Sequence, residues 1–338
     1  MRRPAVVTLL TILLAVGAVV SLTLGKYPVA LRDTLLFFTA KVTGCRPPAG
    51  LDMALLENLF FSIRLPRVVA AILVGSSLSV AGAAFQAMFI NPLVSPSLLG
   101  VLAGASFGAA LGMLLFENWL AVQASTFVFG FISVLVAVGI ARMFRGGAVL
   151  LLILGGVISG ALFTSLLSVV KYCADPYDKL PAIVYWLMGG LSYADAGTVW
   201  FAAVPMVISM MLIISMSGYL NVLSMGDEEA RSLGIPVERI RLVMIFLASL
   251  VSSLTVVIAG MIGWVGLIIP HITRMLVGPD NRVLIPSSIL IGAIYLLLVD
   301  NLCRLLFETE IPIGIVTSLV GIPFFVFVMR RARRGWGS

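Results

Sequence analysis

Long, uninterrupted runs of apolar residues constrain this chain more than any other feature of its sequence. Several runs reach about 20 residues, the length that an α-helix needs to cross the hydrocarbon core of a membrane. Hydrophobic residues make up 61% of the 338 residues and charged residues only 11%, which leaves too few polar side chains to cover a water-soluble globule. We therefore expect an all-α, polytopic transmembrane helical bundle that forms a single domain over residues 1–338.

The apolar runs divide the chain into about ten predicted spans, with the N- and C-termini both cytoplasmic. The short inner loops hold Arg, whereas the outer excess of basic residues lies mostly in the long outer loop of residues 25–62, as membrane orientation requires. Orientation therefore explains the net charge of +7 better than nucleic-acid binding does. The predicted spans are 5–24, 64–89, a third that carries Gly100 to Gly112, 122–143, 149–170, 197–216, 242–260, 261–275, 286–304 and 311–329.

The third span carries a glycine at every fourth position: Gly100, Gly104, Gly108 and Gly112. This spacing places a flat ridge on one helix face, where the backbone of another helix can approach closely. Close helix packing explains the ridge, and we assign no chemistry to it. A second pattern is a sequence similarity, which we call the echo, between residues 76–82 and 252–260. The two spans that carry it are predicted to run in opposite directions, as in an inverted repeat.

The predicted cytoplasmic loop of residues 220–241 contains an unusual concentration of charge. Residues 226–241, GDEEARSLGIPVERIR, which we call the charged corner, hold seven charged residues. The acidic residues Asp227 to Glu229 favour a helix start, Gly234 favours a helix end, and Pro236 favours the start of a second short helix. An ordinary solvated loop and a surface on which a partner acts both fit this pattern.

The sequence holds few residues suited to chemistry of its own. None of the four lysines, Lys26, Lys41, Lys171 and Lys179, lies in the GxxxxGK[ST] pattern of a phosphate-binding loop. Cys45, Cys173 and Cys303 lack metal-binding or disulfide spacing, and His271 is the single histidine, so we expect no metal site. A membrane enzyme is therefore the weakest interpretation.

An ion-gradient-driven secondary transporter is the stronger alternative. Such proteins usually place Asp, Glu or His deep in a span, where burial of a charge marks the ion site. Here every acidic residue falls in a predicted loop or near a span end, and Asp195 and Asp300 come closest to the membrane interior.

An ordered set of motifs resembles the FecCD-type permeases, the membrane subunits of ABC importers for iron-siderophores, heme and cobalamin. The set comprises RLPRVVAAILVGSSLSVAGAAFQAMFINPLVSPSLLG from Arg64, WLMGGL from Trp186, GDEEARSLG from Gly226, GWVGLIIPHITRMLVG from Gly263, LLVDNLCR, and EIPIGIVTSLVGIPFF. These motifs cover most of the chain from Arg64 to Phe325.

The resemblance implies a non-catalytic permease of the inner cell membrane that works as a homodimer. Its implied partners are two cytoplasmic ABC ATPase subunits, which use the ATP, and an extracytoplasmic substrate-binding protein; no cofactor is expected on this chain. The implied cargo is a metal chelate, with iron-siderophore or heme preferred and cobalamin or molybdate also possible.

The resemblance also assigns roles to residues. The ATPase-coupling residues would be Gly226, Asp227, Glu228, Glu229, Ala230, Arg231, Leu233 and Gly234, with Ala230 and Leu233 forming one apolar face. Arg64, Arg67 and Arg304 would receive acidic residues of the binding protein, and Asn91, Leu93, Val149 and Leu150 would line the cytoplasmic gate of the translocation path. Because Val149 and Leu150 are apolar, this gate would close by excluding water.

Overall fold

The fold is an all-helical bundle, as the sequence predicts. A computed structural model describes residues 3–27, 29–43, 52–144, 148–306 and 308–335. The helices are α1 (Arg3–Thr23), α2 (Leu31–Thr43), α3 (Met53–Glu57), α4 (Leu65–Met88), α5 (Val101–Leu115), α6 (Trp119–Met143), α7 (Ala148–Cys173), α8 (Lys179–Leu187), α9 (Ala196–Ser215), α10 (Ser217–Leu223), α11 (Asp227–Ser232), α12 (Val237–Ala259), α13 (Val265–Val277), α14 (Asn281–Leu305) and α15 (Ile313–Gly335).

Ten helical segments of the described chain have the composition of membrane spans. Seven are long and apolar enough to cross a membrane: α1, the continuous stretch Met53–Met88, α6, α7, α9, α12 and α14. The shorter apolar helices Val101–Leu115, Val265–Val277 and Ile313–Phe327 complete the ten. The predicted multi-pass bundle is therefore confirmed.

The segment before α4 differs from the prediction. The predicted span begins at residue 64, but α3 leads through a π-helical turn, Asn58–Arg64, directly into α4. Phe60 in this turn packs against Phe37 of α2, with ring centroids 5.3 Å apart, so that the outer loop folds back onto its own aromatic cluster. Cys45 and Arg46 lie outside the described residues.

Helices α4 and α12 form the centre of the bundle and pack against each other. In the most apolar window of the stretch that contains α4, 89% of the residues are buried, against 6% for α1, which lies at the periphery. Arg67 near the start of α4 and Ala259 at the end of α12 line the same small cavity, so the two helices run in opposite directions. This arrangement agrees with the echo between their sequences.

Glycines allow the closest helix contacts. A Cβ atom on Gly104 would lie 2.4 Å from the Phe129 carbonyl oxygen of α6, and one on Gly108 would lie 2.4 Å from the Ser125 carbonyl oxygen. The predicted glycine ridge therefore packs against α6. Gly100 departs from this pattern: it precedes α5 with a φ of 80° and faces Gly160 of α7.

Candidate functional site

The charged corner folds into one short helix that ends in a tight turn. At the end of α11, Gly234 takes a φ of 76° and donates its N–H to the Arg231 carbonyl at 2.9 Å, while Ile235 donates to the Ala230 carbonyl at 3.1 Å. These two bonds form a Schellman motif, which confirms that Gly234 ends the helix. The second predicted short helix is wrong, because the helix that starts after Pro236 is α12 itself and continues into the membrane.

Burial divides the corner into an inner and an outer side. Ala230 is fully buried in the main core, and the nearly buried guanidinium of Arg241 binds the Asp227 carboxylate with contacts of 2.6 and 3.2 Å. The predicted apolar face of Ala230 and Leu233 is therefore wrong, since the small side chain of Ala230 packs against the permease itself. Leu233 is 62% exposed and remains available to a partner.

The remaining charges of the corner face outward. Arg231 and Glu238 form an exposed ion pair at 2.5 Å, and the hydrogen bond that Arg231 donates to the Glu238 carboxylate raises the pKa of Arg231. Glu228 and Glu229 are exposed and form no hydrogen bond or ion pair through their carboxylates within the described residues. Leu233, Glu228 and Glu229 thus form an outward surface on a helix that Ala230 and Asp227 hold in place.

On the side of the bundle, α7 and α15 flank an opening that we call the lateral cleft, with a mainly apolar wall and a few polar groups. It consists of two adjoining cavities of about 620 and 490 Å³, which share Leu102, Leu187, Met188 and Met261. The larger cavity is also lined by Ser97, Ser106, Thr164 and Lys171, and the smaller one by Ser318. Thr164 and Ser318 donate to carbonyls of their own helices at 2.8 and 2.7 Å, whereas the Lys171 amine, in the last turn of α7, and the Ser106 hydroxyl have no partner within the described residues.

Three glycine-containing backbone segments meet at the floor of the cleft, and we call this contact the glycine junction. A Cβ atom on Gly189 would lie 2.2 Å from the Met261 carbonyl oxygen, and one on Gly314 would lie 2.3 Å from the Met188 carbonyl oxygen. Gly190 also donates to the Ala259 carbonyl at 2.8 Å. Larger residues at these positions would separate the segments that present Met188 and Met261 to the cleft.

At the outer end, Arg64 and Arg304 bind the last turn of α1. Arg64 donates to the carbonyls of Leu22, Thr23 and Tyr27 at 2.6 to 3.1 Å, and Arg304 donates to the Ser21 carbonyl at 2.9 Å. Helix C-termini favour such cations, since their last carbonyls lack helical partners. Arg64 is 3% and Arg304 is 5% exposed. Both arginines are occupied by carbonyls of their own chain, and their docking role stays a prediction.

Arg67 lies between two carboxylates of its own chain. Its guanidinium contacts fully buried Asp300 at 2.9 to 3.2 Å and Glu310 at 3.0 Å, while Glu310 also accepts from Ser192 at 2.8 Å. Burial raises the pKa of the Glu310 carboxyl, but Arg67 and Ser192 outweigh burial and bring this pKa below its ordinary value. Only 12% of the Arg67 side chain is exposed, and its docking role stays a prediction.

Comparisons with known proteins agree over nearly the whole chain. The model of the FecCD transport family matches residues 13–331. This chain belongs to the FecCD transport family. It is similar to the molybdate import system permease of Haemophilus influenzae (38% identical, covering 98% of this chain and 97% of the relative) and to the iron(3+)-hydroxamate import system permease of Bacillus subtilis (33% identical, 98% of each).

A solved structure of an ABC transporter described as of metal-chelate type, in an inward-facing conformation, matches this FecCD chain with a TM-score of 0.85. The two are 36% identical, and the match covers 97% of this chain and 99% of the other. Family, helical fold and apolar spans together identify the chain as a multi-pass transport permease of the inner membrane.

The predicted gate residues of this FecCD chain lie at the ends of α4 and α7. The Asn91 side-chain oxygen accepts a hydrogen bond from the Leu93 N–H at 2.9 Å and so stabilises the turn that follows α4. Leu93 is 54% and Leu150 is 62% exposed, while Val149 packs against the core. Their role as a gate stays a prediction.

The residues of the lateral cleft were missed from the sequence. Because α7 continues to Cys173, three residues beyond the predicted span, Lys171 lies within this helix and not in an outer segment. The spacing of Gly160, Thr164, Leu167 and Lys171, successively four, three and four residues apart, is that of a single helix face. This spacing could have indicated from the sequence that Lys171 shares a helix face with Gly160 and Thr164.

Proposed function

We propose that this FecCD permease works as a homodimer in a binding-protein-dependent ABC importer. Two cytoplasmic ATPase subunits would hydrolyse the ATP, and a binding protein would deliver cargo from outside. The permease binds no cofactor and catalyses no reaction in this proposal; it provides the path and transmits the movement of the ATPase pair.

The observation that carries this proposal is the structure of the charged corner. A partner that pushes on the outward surface of Leu233, Glu228 and Glu229 pushes on a helix that cannot move independently. Ala230 and the ion pair between nearly buried Arg241 and half-buried Asp227 hold it on the start of α12, a central helix of the bundle. Force applied at the corner would therefore reach the centre of the permease.

The lateral cleft supports the homodimer. Its lining contains Lys171 and the hydroxyls of Ser97, Ser106 and Thr164, and α7 and α15 on either side expose apolar side chains that include Leu154, Ile158, Ile315 and Leu319. A second copy that covers these apolar edges would enclose the two clefts in one central path.

The cargo we propose is a metal-containing compound. Relatives are named for molybdate, iron-hydroxamate and cobalamin import, which include an oxyanion as well as large chelates. The iron chelate or heme expected from the sequence resemblance remains one member of this class.

Uptake in proteoliposomes that contain the permease, its ATPase and its binding protein tests the proposal. We expect ATP-dependent accumulation without an ion gradient, and we expect Leu233→Asp to abolish most uptake while the permease stays folded. Leu306→Asp is the matched control, since Leu306 is 64% exposed at the outer end of α14.

Two outcomes would reject the proposal. The coupling role of the corner fails if Leu233→Asp transports as well as Leu306→Asp. Uptake that follows a proton or sodium gradient and ignores ATP would instead favour the secondary transporter.

A further inference from the structure

Lys171 is the one ionisable residue that lines either cavity of the lateral cleft, among the residues that the structure describes. Its amine makes no hydrogen bond or ion pair within those residues. The nearest acidic residue along the chain, Asp175, accepts hydrogen bonds from the backbone N–H groups of Tyr177 and Asp178 instead. The cleft therefore carries one uncompensated positive charge.

A second, independent feature of the cleft is an unused hydroxyl. Ser106 lines the same cavity, is 1% exposed, and its Oγ has no hydrogen-bond partner within the described chain. A buried hydroxyl without a partner is costly, and native structures usually supply one. Thr164 adds a further oxygen on the cavity wall, although its own proton is donated to the Gly160 carbonyl at 2.8 Å.

We propose that Lys171 and Ser106 form an anion-binding subsite in the lateral cleft, and that the cargo which passes it is negatively charged. This proposal rests on the homodimeric importer proposed above, in which the cleft is part of the path. The chemistry recognised is an anionic oxygen, carried either by an oxyanion or by a metal chelate with net negative charge. The Lys171 amine supplies charge, and the Ser106 hydroxyl donates a hydrogen bond.

The apolar part of the lining is consistent with a transient site. Leu102, Leu187, Met188 and Met261 surround the polar groups and offer no further charge. Low-dielectric walls focus the field of an unpaired charge in a cleft, so a single cation attracts an anion without holding it as tightly as several would. A transport path requires both entry and release.

The charge of the cleft is measurable without knowledge of the cargo. The experiment uses the full-length permease in nanodiscs with Cys45→Ser and Cys173→Ser, leaving buried Cys303 in place, and adds Thr164→Cys as the reporter. The reaction rate of this cysteine is measured with an anionic methanethiosulfonate, the ethylsulfonate, and with a cationic one, the ethyltrimethylammonium.

We expect Lys171→Gln to lower the ratio of anionic to cationic rates about fivefold or more, as one unit charge at intermediate dielectric implies. Lys171→Arg should preserve the ratio. Lys179→Gln is the matched control, because it removes the same charge from a residue that lines a different outer cavity, beside Asp178 and Asp195. Equal ratios in Lys171→Gln and Lys179→Gln would overturn the proposal.

Occupancy of the site is tested by protection of the same cysteine. Molybdate and an anionic ferric tris-catecholate should slow its modification, an uncharged ferric tris-hydroxamate should not, and Ser106→Ala should weaken the protection. If neither anion protects the cysteine, the proposed subsite does not exist.

Lipid phosphate is the other source of anionic oxygen. Rates and protection that depend on phosphatidylglycerol content, compared with phosphatidylcholine alone, would assign Lys171 to lipid and overturn the cargo proposal. None of these measurements needs ATP. If the cysteine shows the expected charge selectivity and protection but the proteoliposomes show no ATP-dependent uptake, the importer proposal is rejected and the subsite proposal stands.

Discussion

The outer end of the bundle and the charged corner on the cytoplasmic side are both rich in charge, but they use it differently. At the outer end, Arg64, Arg67 and Arg304 are nearly buried, and each binds groups of its own chain. At the corner, one buried ion pair fastens the helix and the other charges face outward. Charge density in a sequence therefore does not distinguish internal fastening from a partner surface; burial and pairing do.

The difference has a structural cause. The outer end gathers the termini of several helices, and peripheral α1 has little buried surface of its own. Arginines that bind the exposed carbonyls of its last turn attach it to α4 and α14. Helix α11 of the corner has only six residues, and the Schellman turn, Ala230 and Asp227 hold it in place.

The largest effect is expected where the outer network is broken. Asp300→Ala leaves Arg67 buried with only Glu310 as a charged partner, and we expect a loss of about 3–5 kcal/mol in the free energy of unfolding. Thermal unfolding in detergent, followed by dye labelling of buried Cys303, measures this loss. The double variant Arg67→Met with Asp300→Leu should recover part of the loss, because it removes both charges of the closest pair, although buried Arg304, 3.6 Å from Asp300, still loses that carboxylate. A double variant as unstable as Asp300→Ala would contradict this account.

The corner offers the matching test with two arginines. Arg241→Ala removes the buried partner of Asp227 and should lower the free energy of unfolding by about 2–3 kcal/mol. Arg231→Ala removes an exposed pair with Glu238 and should leave stability unchanged within error. If both variants lose the same stability, the division of the corner into inner and outer sides is wrong.

The sequence is a good guide where local chemistry decides the structure, and a poor one where tertiary contacts do. The glycine ridge and the helix end at Gly234 depend on spacing and backbone conformation, which the sequence displays. The partners of Arg64 are carbonyls of another helix, and no local pattern reveals that they are near. The same limit applies to Ala230, whose small apolar side chain suits either side of a helix.

The outward charges of the corner should affect association more than folding. Reversal of two of them, Glu228→Lys with Glu229→Lys, should lower thermal stability only slightly, since it removes acidic residues from the first turn of α11, but should slow binding of the proposed ATPase partner about tenfold at low salt. The matched control is Glu117→Lys with Glu308→Lys, which makes the same charge change on the outer face. Binding kinetics to nanodisc-embedded permease at low and high salt measure the difference. An equal effect of the two pairs would show that net charge, and not the corner, governs association.

The smallest expected effect is a pH dependence at the outer end. Arg67 and Ser192 bring the pKa of Glu310 below its ordinary value of 4.5, so its carboxylate contributes stability above that pH. This stabilisation is lost as the pH falls from 4.5 through the lower pKa that Glu310 has in the folded protein. The difference in unfolding temperature between wild type and Glu310→Gln should therefore be present near about pH 7 and shrink below about pH 4.

Glu308→Gln, at an exposed position in the same loop, should show no such difference. If the unfolding temperature of Glu310→Gln stays below that of wild type by the same amount in acid, the variant loses packing or hydrogen bonds, and the charge of Glu310 does not stabilise the network.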